Sequence, residues 1–125
     1  MTIFPNIQAM QAIGLSRQIG ANNVANIHTQ EFQASRLTLE TGPDGRGVHP
    51  QAIDPHPAPG PLVPGLGEHV EDGMRSTVWG MVEGSNTELV TEMVNSIRDE
   101  RALHANVAMV RTWDEMSGAV LELRA

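Results

Sequence analysis

Apolar residues recur at spacings of three and four over the last third of the chain. The set is Leu89/Val90, Met93/Val94, Ile97, Leu103, Val107, Val110, Trp113, Met116, Val120 and Leu123. That period is the mark of an amphipathic helix, and no Pro interrupts it. Ser85 followed by Glu88 has the spacing of a capping box, in which the Ser oxygen takes the N3 amide and the Glu reaches back to the cap amide. Glu88 and Glu92 lie near the positive end of the helix dipole and Arg124 near the negative end. The pattern predicts a helix over Asn86–Leu123, with Gly118 its weak position. A break near Arg98–Arg101, giving two helices of a small bundle, is the alternative.

A second Pro-free stretch, Ile7 to Thr29, predicts an N-terminal helix. Met10, Ile13, Val24 and Ile27 fall on one a/d-like seam. Arg17 and Gly20 interrupt that seam, while Ile3, Ile7, Leu15 and Ile19 widen it. Alone, such a helix is marginal. Between the two lies a stretch rich in breakers, with six Pro from Pro43 to Pro61 and another at Pro64. It reads as irregular, partly polyproline-like chain. Phe32–Leu39 and Arg75–Val82 are strand candidates that could pair as a small hairpin-like unit. The expected fold is therefore mainly α: elongated, coiled-coil-like paired terminal helices with a small irregular or β middle. The segments are 1–30, 31–83 and 84–125, with the two helices pairing as one domain.

Length sharpens this picture. A helix over Asn86–Leu123 is roughly 57 Å long and the N-terminal one roughly 33 Å. A compact chain of this size is only about 36 Å across. The long apolar stripe therefore needs cover from elsewhere, and other subunits are the natural source.

Composition narrows the function. The aromatic content is 3%, too little for a thick core, so Val, Ile, Leu, Met and Ala must form thin helix seams. The formal net charge is −7, with eight Arg and no Lys, which offers no footprint for nucleic acid or anionic membrane. The chain has no Cys, hence no disulfide or thiolate metal site. The first residues show no basic n-region or apolar run of a cleaved signal, and no stretch is long enough to insert in a bilayer. His49, His56 and His69 lie in the Pro-rich middle near Asp54, Glu68 and Asp72, at spacings that match no zinc signature. No nucleophile context or phosphate-cradling motif occurs, so no catalytic residue, cofactor or small-molecule substrate is assigned.

The run from Asn22 to Thr29 holds Asn22, Asn23 and Asn26, which are poor helix-interior residues. It reads either as a fraying helix end or as a polar ladder that fixes register between packed helices. Asn106 joins this group as a candidate for lateral contacts. Ala21-Asn22-Asn23-Val24-Ala25-Asn26-Ile27-His28-Thr29, followed by Phe32, resembles the N-terminal signature of flagellar rod, hook and related axial proteins. Glu83-Gly84-Ser85-Asn86-Thr87-Glu88-Leu89-Val90, with Glu92-Met93-Val94 and Ile97, is similar to that family's C-terminal motif. Arg101-Ala102-Leu103-His104-Ala105-Asn106 and Asp114-Glu115-Met116 extend the likeness. Departures occur at Arg17 and Gly20, at Glu31 and Gln33 in place of the family's Gly and Lys, and at Leu103 in place of Tyr.

The resemblance implies a structural subunit of the bacterial flagellar basal-body rod. Such a subunit self-assembles through its terminal helices with other rod subunits. It is exported by the flagellar type III apparatus without a cleaved signal and is located in the periplasm-spanning rod. Met10, Ile13, Val24, Ile27, Met93, Ile97, Leu103, Val107 and Val110 are the expected seam, with Asn22, Asn23, Asn26, Ser85, Asn86 and Asn106 as the polar motif residues. A freestanding helical adaptor or export-related module is the other reading.

Overall fold

The computed structural model describes residues 3–123. The elements run α1 (Phe4–Ala25), β1 (Ser35–Thr41), a 3-10 turn (Pro43–Gly45), β2 (Val48–Pro55), β3 (Leu62–Glu71), β4 (Met74–Glu83) and α2 (Leu89–Glu122). Helix accounts for 48% and strand for 29%. The mainly α expectation is thereby corrected. The middle is two antiparallel two-stranded sheets, β1-β2 and β3-β4, set between the helices.

Prolines do not prevent these strands because each sheet has only two. Every strand then has a free edge, where a missing N–H costs no ladder bond. Pro50 and Pro55 lie in β2 and Pro64 in β3. The register steps from Thr38↔Ala52 to Leu39↔Pro50, which leaves Gln51 as the extra residue of a bulge. The pairing also differs from the expected one. The segment after Phe32 pairs with residues 48–55, and the segment before Gly84 pairs with residues 62–71. Local closure costs less chain entropy than joining the two distant segments. The β3–β4 turn is Asp72-Gly73, with φ +51° and +78°, the two positive angles that a type I′ hairpin turn requires.

α1 begins at Phe4, before the expected start, because Pro5 occupies the first turn, where its missing N–H has no role. It ends at Ala25. The Asn26 amide donates to the Asn22 carbonyl at 2.9 Å and accepts from Thr29 Oγ1 at 3.1 Å, drawing the chain out of the helix. α2 begins at Leu89, and the capping box does not form. Glu88 is the extended cap residue with no side-chain cap bond. Ser85 is buried and bonds Thr87 instead, donating to its hydroxyl at 2.8 Å and accepting from its amide at 3.1 Å. From Leu89 the helix runs 34 residues, about 51 Å, without a break at Arg98–Arg101. Arg124 lies outside the described residues.

The helices pack antiparallel, with Asn23 opposite Glu92 and Ser16 opposite Asp99. The α1 residues that meet α2 here are small or polar: Ser16, Gly20 and Asn23. A Cβ at Gly20 would lie 3.1 Å from Glu92 Oε2, so Gly lets the helices approach. At this register the last turns of α2 run past the first residue of α1. Ala12 and Ala34 are the buried apolar residues among those described.

The β3–β4 ribbon is tied at its base. Glu31 N donates to Glu83 O at 2.9 Å, Gly84 N to Pro61 O at 2.7 Å, and Gly60 N to Glu83 Oε1 at 2.8 Å. Paired residues share a face, so Leu62, Pro64, Leu66, Val70, Trp79 and Met81 line one side of the ribbon, and Trp79 is 70% exposed. Gly60 is required where the strand base crosses the connector, since an added Cβ would fall on the Gly84 carbonyl. Gly60→Ala is expected to destabilise the chain by about 1–3 kcal/mol. Gly80→Ala, with open space around its Cβ, should change little. Urea unfolding followed by circular dichroism checks both.

Candidate assembly interface

Asn23 is the largest fully buried side chain among the described residues. It sits on the last turns of α1, on the face turned to β1 and α2. Its Nδ2 donates to the Ser35 carbonyl at 2.8 Å and to Glu92 Oε1 at 3.0 Å. Its Oδ1 accepts from the Ser35 amide at 2.9 Å. One side-chain amide thus joins three elements and satisfies both backbone groups where β1 begins.

Asn86 holds the same segment from the other side. Its Oδ1 accepts from the Ala34 amide at 2.7 Å, and its Nδ2 donates to the carbonyls of His56 at 3.0 Å and Ala58 at 2.7 Å. Its own amide donates to Phe32 O at 3.3 Å. The chain from Phe32 to Ser35 is therefore clipped between the end of α1 and the connector into α2. These bonds hold residues 84–88 extended, which is why Ser85 is not a helix cap. Each bond contributes about 1 kcal/mol net, but orphaning a buried partner costs about 1–3 kcal/mol.

Glu31 adopts φ +58°, in the left-handed region that favours Gly. The left-handed turn is kept despite the Cβ, at a cost of about 1–2 kcal/mol, and the Glu31–Glu83 backbone bond holds it there.

The other sequence-selected residues divide by exposure. Met10, Ile13, Ile27, Leu103, Val107 and Val110 are half-buried. Val24, Met93 and Ile97 are exposed. With Leu89, Val90 and Val94, the last two form an apolar stripe on α2 that the chain leaves uncovered. Beyond α1, Met116, Val120 and Leu121 continue uncovered, with Trp113 at their edge. Asn22 is exposed, and Asn106 donates to Ala102 O at 2.8 Å within its own helix. His49 contacts Gln8, His56 accepts from the Ala58 amide, and His69 lies near Glu71, so the three sit in separate places.

Sequence reasoning did not find the role of Glu92, the Ser16–Asp99 bond at 2.8 Å or the ribbon's apolar face. The Asp72-Gly73 pair was the available signal for the ribbon. No sequence pattern announces a long-range partner such as Asn23–Glu92.

Two substitutions test the clip. Asn23→Asp replaces a donor with a carboxylate oxygen facing Glu92 and the Ser35 carbonyl. It is expected to cost about 2–4 kcal/mol, partly recovered by adding Glu92→Gln. Glu31→Gly is expected to stabilise by up to about 1 kcal/mol by relieving the left-handed position. Denaturant midpoints measure both.

Two comparisons with known proteins bear on this geometry. No curated protein matches the chain. Residues 79–123 match the family model described as flagellar basal body rod FlgEFG protein C-terminal. The match spans the second half of β4, the connector that carries Asn86, and α2. Over residues 79–123 the chain is thus similar to the C-terminal region of flagellar basal-body rod proteins.

Proposed function

We propose that the chain is a subunit that self-assembles, through its terminal helices, into the axial shaft of the flagellar rod. It associates there with copies of itself and with other rod subunits. The flagellar type III apparatus carries it out, and it resides where the rod crosses the periplasm. The observation that carries the reading is the rod-family match over the helix whose apolar stripe is left open.

The physical support is the distribution of apolar surface. The buried apolar residues among those described are two alanines, while Leu89, Met93, Ile97, Met116 and Val120 are all about half exposed or more. Burial in an assembly supplies about 25 cal/mol for each Å² of apolar surface removed from water. Met10, Ile13, Val24, Ile27, Met93, Ile97, Leu103, Val107 and Val110 supply the seams, some against the chain's own partner helix and some against neighbours. The clips at Asn23 and Asn86 hold the helices in one register so that the seams repeat from copy to copy. No step of this role requires a catalytic residue or cofactor.

Mass spectrometry of basal bodies isolated from the native bacterium should find the chain with the rod fraction. Its absence there, together with a discrete soluble oligomer in the cytoplasm, would overturn the assignment in favour of an adaptor. Val107→Asp places a charge at a half-buried helix position, strongly unfavourable when unpaired. The expected outcome is loss of motility with the protein still synthesised, read by swimming assay and immunoblot.

A further inference from the structure

A cleft of about 460 Å³ opens between α1, β1 and α2, lined by Ser16, Arg36, Leu37, Asn95, Arg98 and Asp99. Asp99 is engaged by the Ser16 hydroxyl. Arg36 and Arg98 are exposed and make no ion pair among the described residues, where the two ion pairs are both on the β3–β4 ribbon. Two open guanidiniums beside a leucine are unusual in a chain of net charge −7.

The far end of α2 has the complementary character. Residues 112–123 hold Asp114, Glu115 and Glu122 and no basic residue. Trp113, Met116, Val120 and Leu121 lie beside these acids as an exposed apolar patch past the reach of α1. Guanidinium and carboxylate pair through charge-assisted hydrogen bonds. The two surfaces lie on one unbroken helix, about 30 Å apart. The end of α2 therefore cannot fold back into its own cleft.

We propose that this cleft receives the acidic, apolar end of α2 from a second copy of the chain. Arg36 and Arg98 pair with Asp114 and Glu115 of the incoming helix, and its apolar patch packs beside Leu37. Cleft and helix end are different surfaces, so each added copy leaves one of each free, and the contact propagates head to tail. This rests on the reading of the chain as an assembling subunit and specifies one contact of that assembly.

The test uses the purified full chain in sedimentation velocity. Wild type is expected to grow with concentration; a monomer at all concentrations, or a species that stops at dimer, overturns the contact. Arg36→Glu/Arg98→Glu and Asp114→Arg/Glu115→Arg are each expected to sediment as monomers with helix content retained by circular dichroism. An equimolar mixture is expected to associate again, because each variant's end then matches the other's cleft. Failure of the mixture to associate overturns the proposal. As a measurement that needs no charge reversal, Arg98→Cys/Glu115→Cys in this Cys-free chain should give a ladder of disulfide-linked copies on oxidation. Absence of the ladder overturns the contact. Recovery of the chain in basal bodies alongside a failed mixture would sink this contact and leave the rod reading. Association in solution with no chain in basal bodies would do the reverse.

Discussion

A carboxamide buried between a helix end, a strand start and a second helix must be fully partnered, because an unmet donor or acceptor there costs as much as several surface contacts yield. Asn23 meets that condition with both backbone groups of Ser35 and the carboxylate of Glu92. Much else follows from this constraint. α1 must end with its last turns against β1. Gly20 must stay small so that Glu92 can come close. The two helices must run antiparallel in a single register, which Ser16 and Asp99 then repeat about two turns further along. Asn86 completes the arrangement by holding Phe32–Ala34 to the connector and to the irregular segment after Pro55.

This is an unusual way to hold 125 residues together. Folded domains of such size commonly rest on a packed apolar interior, whereas here the fully buried side chain of greatest volume is polar. Apolar surface is present, but it faces outward along α2 and the β3–β4 ribbon. Polar clips fix shape without consuming that surface, and the surface remains available to neighbours. Such a division of labour suits a part whose stability is completed by the structure it enters, as the similarity of residues 79–123 to rod proteins also suggests.

The sequence made the two helices legible because their signals are periodic and local. The three-and-four spacing from Leu89 to Leu123 located α2 to within a few residues. The middle is less legible because its Pro residues read as breakers. In two-stranded sheets every strand is an edge, and Pro50, Pro55 and Pro64 are tolerated. Asp72-Gly73 carried the hairpin signal, while the alternation of the strands it joins is blurred by Gly65, Gly67 and Gly80. Ser85 and Glu88 satisfied a capping pattern that long-range bonds from Asn86 override. Asn22, Asn23 and Asn26 read alike as polar register residues, and the sequence does not separate Asn23, which turns inward, from the exposed Asn22 and from Asn26 at the helix end. That distinction depends on a strand start and a glutamate 12 and 69 residues away.

Amide hydrogen exchange on the purified chain tests the central claim most directly, because it reports local stability residue by residue. If the clips organise the fold, the Ala34 and Ser35 amides exchange among the slowest in the chain, while amides from Met116 to Leu123 exchange far faster. If Ala34 and Ser35 exchange as fast as the free end of α2, the clip is not what holds the structure together, and the account built on it fails.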